Sequence, residues 1–212
     1  MLGLDPATLL SRLVILVIAF TIHEYSHARV ADAFGDTTPR MYGRLTLNPL
    51  AHLDIMGSIM LLLAGFGWAK PVPINPYALG RRSSAAPMLV SLAGPASNFL
   101  LAILAAIPVR AGWVNLYALS GTGAFVAEFV FQFIFVNLLL TFFNLIPLAP
   151  LDGDKIADYF FPPSWARVLQ TIRPYGGLIL IALLFVLPAI GFDVLGKVLY
   201  PPIYSLMRLL IG

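Results

Sequence analysis

Leu9-Leu10-Ser11-Arg12-Leu13-Val14-Ile15-Leu16-Val17-Ile18-Ala19-Phe20-Thr21-Ile22-His23-Glu24-Tyr25-Ser26-His27-Ala28-Arg29-Val30 is the stretch that decides the fold. About 20 apolar residues cross the hydrocarbon of a bilayer, so it reads as a spanning helix. Its last turns carry His23, Glu24 and His27. Residues four apart share a helix face, so both imidazoles reach one metal ion. Glu24, about 100° further round the helix than His23, lies beside that metal and can take a proton from water there. Imidazole plus carboxylate suits zinc, which keeps one position open for water. The competing reading is a pair of histidines facing headgroups at a helix end. Ionisable groups inside a membrane are functional as a rule, which favours the metal.

The rest of the chain agrees that lipid is its solvent. Of its 212 residues, 59% are hydrophobic and 11% charged, and the mean hydropathy is +0.89. A soluble domain carries about 25% charged residues. The net charge of +3 is small and scattered, which excludes a nucleic-acid partner. There is no cysteine, so disulfides and thiolate sites are excluded and any metal must use His, Asp or Glu. No Ala-x-Ala-like cleavage site follows the first apolar run, which reads as a retained helix rather than a signal peptide.

Further spans are expected at Pro87–Val109 and Gly123–Leu148, with a final hairpin from Gly176–Gly191 and Val194–Ile211. The hairpin turn carries Gly191, Asp193 and Gly196. The run from Ile55 to Trp68 is short and holds several glycines, which suggests a re-entrant segment rather than a sixth helix. Charge placement favours five spans. Arg29, Arg40, Arg44, Lys70, Arg81, Arg82, Lys155, Arg167, Arg173 and Arg208 then share one side, and Arg12, Arg110 and Lys197 the other. The richer side is expected to be cytoplasmic, with the N-terminus outside. The fold class is therefore an all-α polytopic membrane protein with a short membrane-associated β element. Arg44 and Thr46 alternate with Leu45 and Leu47 in a pattern that suits a strand at 40–50. Pro71–Pro76 cannot be helical, because prolines recur too often. One domain is expected over 1–212, with a core at about 7–160 and the hairpin at about 175–211.

A metal on His23 and His27 needs a third protein ligand. His52, Glu128, Asp152 and Asp154 are the candidates. Glu128 falls near the opposite face of the membrane. Asn144–Gly153 reads Asn-Leu-Ile-Pro-Leu-Ala-Pro-Leu-Asp-Gly, an extended exit from the third span that brings Asp152 to a depth similar to the histidine pair.

His-Glu-x-x-His followed by Asn-x-x-Pro-x-x-Pro-Leu-Asp-Gly resembles the site-2 protease family of intramembrane zinc metalloproteases. The likeness extends through Gly43–Asp54, Gly67–Pro76 and Gly94–Asn98, and so over most of residues 20 to 160 in order. The subgroup resembled is compact, without PDZ or CBS domains. The resemblance implies one zinc per chain on His23, His27 and Asp152, with Glu24 as general base. It implies that Asn144 holds the substrate backbone, and that a re-entrant strand containing Gly43, Leu45 and Leu47 pairs with an unwound substrate. The implied substrate is a transmembrane protein or peptide, cut within or near its membrane segment in regulated intramembrane proteolysis at a cell membrane, with the active site near the cytoplasmic face. Asp154 departs from the pattern, since the family more often has a small residue after Asp-Gly.

Smaller signals surround these. His52 reads equally well as a gate, a donor behind the ligands, an inhibitory ligand or a hydrogen-bonded loop histidine. Gly94 and Ala96 allow close helix contact, and Asn98 is placed to bond active-site backbone. Glu128, Gln132, Asn137 and Thr141 punctuate the third span at helical spacing, as groups that hydrogen-bond between helices do. Three other functions compete. A zinc protease with a downstream Glu ligand has only Glu128 to use, at the wrong depth. A metal transporter would need polar ligands on several spans. An inactive scaffold would have no use for Glu24.

Overall fold

The computed structural model describes residues 6–64 and 67–212. It is helical, and five helical stretches are long and apolar enough to cross a membrane: Ala7–Ala33, Ala86–Arg110, Gly121–Asn144, Pro163–Ala189 and Val194–Ile211. In chain order the helices are α1 (Pro6–Ala33), α2 (Thr38–Met41), α3 (Ile55–Ala64), α4 (Pro76–Arg82), α5 (Ala86–Arg110), α6 (Gly121–Asn144), α7 (Gly153–Phe160), α8 (Pro163–Ile172), α9 (Gly176–Ile181), α10 (Leu187–Ala189) and α11 (Val194–Ile211). The chain is an all-α polytopic membrane protein, as its composition requires.

Helix α5 is the centre of the bundle and packs against both α1 and α6. Its contact faces carry small residues: Ala86, Gly94, Ala102 and Ala106 on α5, and Ala19, Ala28 and Ala31 on α1, are buried. Lipid is as apolar as leucine, so close backbone approach and van der Waals contact hold such helices together. On the far side of α5, Ala102 and Ala106 join Ile134 and Leu138 of α6 and Leu199, Ile203 and Met207 of α11 in the largest buried cluster. The C-terminal helix is therefore part of the bundle core.

Helix α6 stops at Asn144, because Pro147 and Pro150 cannot donate the bonds that would continue it. The expected span to Leu148 is correspondingly shorter. The loop that follows is pinned by Leu148 and Leu151, which pack on Leu180 of α9. The fourth apolar stretch begins at Pro163, earlier than the expected Gly176. A short 3-10 turn, Arg173–Tyr175, links α8 to α9, and a π-type turn, Ala182–Val186, links α9 to α10. The final turn is as the sequence implies. Gly191 adopts φ +91°, and Asp193 caps α11 by accepting from the Gly196 N–H at 2.8 Å.

The segment after α1 is re-entrant. Helix α3 has ten residues, about 15 Å of rise, which is half the hydrocarbon thickness. The two ends of the segment are tied to each other: Leu53 forms an antiparallel bridge with Ala69, and the Lys70 N–H donates to the His52 carbonyl at 2.8 Å. A Cβ on Gly57 would meet the Trp68 carbonyl oxygen at 2.2 Å, so glycine is what lets α3 lie against the returning chain. A segment that leaves where it enters cannot cross. Residues 65 and 66 of this expected re-entrant run lie outside the described residues.

The expected strand at 40–50 is not formed. The described residues there are helix α2, a turn at Gly43 with φ +66°, and a 3-10 turn at Pro49–Ala51. Pro39 starts a helical turn, and left-handed Gly43 ends it, which interrupts the alternating pattern before a ladder can begin. The one β-bridge among the described residues lies at Leu53 and Ala69 instead.

The chain has no native cysteine, so paired cysteines report this geometry cleanly. Residues bridged in an antiparallel pair are about 4.5–5.5 Å apart at Cα, within disulfide range. Leu53→Cys with Ala69→Cys should cross-link in oxidised membranes, whereas Leu53→Cys with Gly112→Cys should not. Failure of the first pair would show that the segment opens across the bilayer.

Candidate metal centre

Three side chains from two distant parts of the chain meet inside the bundle. His23 and His27 lie one turn apart on α1, and both are buried. Their rings stand edge to face, with centroids 4.6 Å apart. Asp152 caps the start of α7 at the end of the proline-rich exit from α6. Its Oδ2 lies 3.1 Å from His23 Nε2 and 3.3 Å from His27 Nε2.

The hydrogen bonds behind the rings decide which atoms these are chemically. His27 Nδ1 sits 2.7 Å from the Val90 carbonyl, which can only accept, so Nδ1 carries the proton. Val90 lies on α5, so this bond joins α5 to α1. His23 Nδ1 sits 2.6 Å from Asn98 Oδ1. The Asn98 amide is oriented by its own donations to the Ala19 carbonyl at 3.3 Å and Asn137 Oδ1 at 3.0 Å. Asn137 in turn donates to the Phe133 carbonyl at 2.9 Å. Backbone carbonyls at the ends of this chain thus set His23 as an Nδ1–H donor also. In the neutral rings both Nε2 atoms then bear lone pairs, and both point at a carboxylate oxygen.

Three converging lone pairs repel unless a cation lies between them. Asp152 Oδ2 is buried and has no hydrogen-bond partner. The three ligand atoms lie within 4.8 Å of one another. Zinc bonds of about 2.0–2.1 Å in a tetrahedron put neighbouring ligand atoms about 3.3 Å apart, close to the separations found. The donor set, its spacing and its orphaned oxygen fit zinc.

Two glycines make the geometry sterically allowed. A Cβ on Gly94 would lie 2.4 Å from His27 Nε2 and 2.5 Å from His23 Nε2, so α5 borders the metal position with bare backbone. A Cβ on Gly153 would meet the Ile146 carbonyl oxygen at 2.2 Å, so the Asp-Gly turn packs directly on the end of α6. These contacts give both glycines a role that reaches beyond helix packing.

The other candidates fall elsewhere. Asp154 is buried but faces away, with Arg173 Nε donating to it at 2.9 Å and Lys155 at 3.3 Å. Arg173 also pairs with Asp158. His52 is fully buried, its Nε2 donates to the Thr46 carbonyl at 2.8 Å, and it is absent from the ligand group. Glu128 accepts from Gln132 on its own helix, and Gln132 Oε1 accepts from Arg12 at 3.4 Å. Thr141 donates to the Pro95 carbonyl at 3.2 Å, so Asn137 and Thr141 do bridge helices. Asn144 ends α6, with Nδ2 on the Leu140 carbonyl at 3.0 Å. Gly43 and Leu47 are exposed, and neither they nor Leu45 joins the ligand group.

Glu24 is buried beside the histidines, and its Oε2 accepts from the Val72 N–H at 3.2 Å. This donor and the Val90 carbonyl were not anticipated, because backbone groups carry no residue-type signal. Asn137 and Arg173 were visible as polar residues, but their partners were not.

Comparison with known proteins bears on this site. Residues 109–187 match the model of peptidase family M50. YwhC of Bacillus subtilis, which carries a zinc-metalloprotease name, is 40% identical over 208 residues, covering 96% of this chain and 93% of that protein. Rip2 of Mycolicibacterium smegmatis, named likewise, is 33% identical over 189 residues, covering 84% of this chain and 69% of that protein. Rip2 of Mycobacterium tuberculosis is 30% identical over 179 residues, covering 82% and 66%. No solved structure matches.

Zinc analysis of the purified protein tests the ligand set. Asp152→Ala should lose most of the metal, while Asp154→Asn should keep it. Gly94→Ala should also lose it, since its methyl group occupies the approach to both Nε2 atoms. Asn98→Leu should weaken zinc affinity about 10–100-fold, the usual cost of removing a partner behind a ligand. Full zinc in Asp152→Ala together with loss in Asp154→Asn would reverse the assignment.

Proposed function

The chain belongs to peptidase family M50, the site-2 protease family of zinc metalloproteases, and from that premise we propose that it hydrolyses peptide bonds within or beside the membrane-spanning segments of other membrane proteins. The observation that carries this reading is the convergence of His23, His27 and Asp152, beside Glu24, inside a bundle of lipid-crossing helices. The protein is an integral multi-pass membrane protein, so substrates that share its bilayer are the ones its centre can meet. The whole described chain serves as one catalytic unit, since α11 packs into the core of α5 and α6 and α9 packs on the loop that carries Asp152.

His23, His27 and Asp152 would hold one zinc ion, which supplies a Lewis acid for the scissile carbonyl and lowers the pKa of water. Glu24 accepts the proton of the attacking water and passes it to the leaving amine. Its Oε2 is engaged by the Val72 N–H, which leaves Oε1 as the oxygen for proton transfer. The Val90 and Asn98 bonds keep the imidazole protons on Nδ1, away from the reacting face. A helix hides its carbonyls in its own hydrogen bonds, so the substrate must unwind before it is cut. Asn144, at the end of α6, is the side chain we assign to holding that unwound backbone. Gly43, Leu45 and Leu47, in the exposed turn after α2, contact the substrate as a loop. We place the active site near the cytoplasmic face, because the loops that flank it carry most of the arginines and lysines.

Co-expression with a panel of single-span membrane proteins tests the reading. The wild-type enzyme should cut at least one of them. Glu24→Gln should keep zinc and the bound substrate but lose turnover by about 10²–10⁴-fold, since Gln cannot take the proton. Asn144→Ala should keep zinc, cut slowly and capture less substrate. Cleavage by Glu24→Gln at the wild-type rate would sink the general-base mechanism and favour a scaffold.

A further inference from the structure

Arg44 is buried and forms no ion pair among the described residues. A buried guanidinium without a carboxylate is costly unless every contact is a strong hydrogen bond. Arg44 meets that condition with backbone alone. Nη1 donates to the Ala51 carbonyl at 2.5 Å and the Lys70 carbonyl at 3.1 Å, and Nη2 donates to the Pro71 carbonyl at 3.1 Å. Ala51 precedes the re-entrant segment, and Lys70 and Pro71 follow it. One side chain therefore clamps the entry of that segment to its exit, beside the Leu53–Ala69 bridge.

The clamp ends one residue before Glu24's partner. In Pro71-Val72-Pro73 only Val72 has an N–H, and that single donor is spent on Glu24 Oε2 at 3.2 Å. The prolines on either side hold this stretch extended, and they leave the carboxylate no competing main-chain donor from the same strand. The guanidinium fork is suited to three carbonyls at once, whereas a lysine ammonium is a compact point charge.

We propose that the Val72 main-chain N–H, delivered by the Arg44 clamp, is the element that orients Glu24 for proton transfer. Arg44 and Val72 are thus positioning residues for the reaction. This inference rests on Glu24 being the general base. It makes the re-entrant segment part of the catalytic apparatus, so the loop and the base move together.

The bond itself is testable without a substrate. In micelles, with ¹⁵N-valine labelling and the Val72 signal identified by its loss in Val72→Ala, the Val72 amide should exchange slowly. Glu24→Ala and Arg44→Lys should each speed that exchange about tenfold or more, as loss of a charge-assisted bond does. Equal exchange in the wild type and Glu24→Ala overturns the proposal. Turnover is read on a quenched-fluorescent peptide bearing one apolar helix of about 20 residues in dodecyl maltoside. Val72→Pro deletes the donor in a stretch that its neighbouring prolines already hold extended, and Val72→Ala keeps the donor while removing the side chain. Val72→Pro should retain zinc and KM but lose about 10–100-fold in kcat, the scale of a misplaced catalytic group. Val72→Ala should stay near the wild type, which a packing role for the side chain would not predict. Arg44→Lys combined with Val72→Pro should be no slower than the slower single variant, because both act through one bond. Additive losses, or equal kcat in Val72→Pro and Val72→Ala, overturn the proposal. If Glu24→Gln is inactive in the same assay, that failure belongs to this inference alone. If Glu24→Gln is active, the general-base reading fails first.

Discussion

Two imidazole lone pairs and one carboxylate oxygen face each other across about three ångströms inside the bundle. Without a cation this arrangement is repulsive, and with one it is a tetrahedral corner. Much of the bundle is arranged around keeping those three atoms in place. Helix α5 supplies a carbonyl for one ring, an amide for the other, and a bare glycine where any side chain would intrude. Helix α6 supplies Asn137 behind Asn98, and its abrupt end at Asn144 releases the loop that carries Asp152.

The membrane explains why so much of this support comes from main chain. A polar group in hydrocarbon must find a partner inside the protein. Here the partners of charged or polar side chains are repeatedly backbone atoms. His27 bonds the Val90 carbonyl of α5. Glu24 bonds Val72 between two prolines. Arg44 bonds the carbonyls of Ala51, Lys70 and Pro71.

The acidic residues near the site divide by the same logic. Asp152 and Asp154 are two residues apart on the first turn of α7 and point to different partners. Asp154 is paid in full by Arg173 and Lys155, whereas one oxygen of Asp152 is left unpartnered toward the histidines. The ion pairs of Asp154 and Asp158 with Arg173 tie α7 to the 3-10 turn between α8 and α9, and so hold the turn that presents Asp152.

Periodicity, composition and the placement of charge determined that the chain is helical and membrane-embedded, that it has five spans, and that His23 and His27 share one helix face. These follow from the spacing of side chains on a helix and the thickness of hydrocarbon, which are local properties of sequence. The strand expected at 40–50 failed because alternation is a weak signal in a short run, and Pro39 and Gly43 form a turn there instead. The Leu-Asp-Gly motif already pointed to Asp152, but what Asp154 and His52 bond depends on which residues from far along the chain arrive beside them. Only the packed bundle decides that Val90 and Val72 offer backbone groups to His27 and Glu24, and that Arg44 closes the re-entrant segment. Main-chain donors and acceptors are the same in every residue but proline, so their roles are written in position and not in identity.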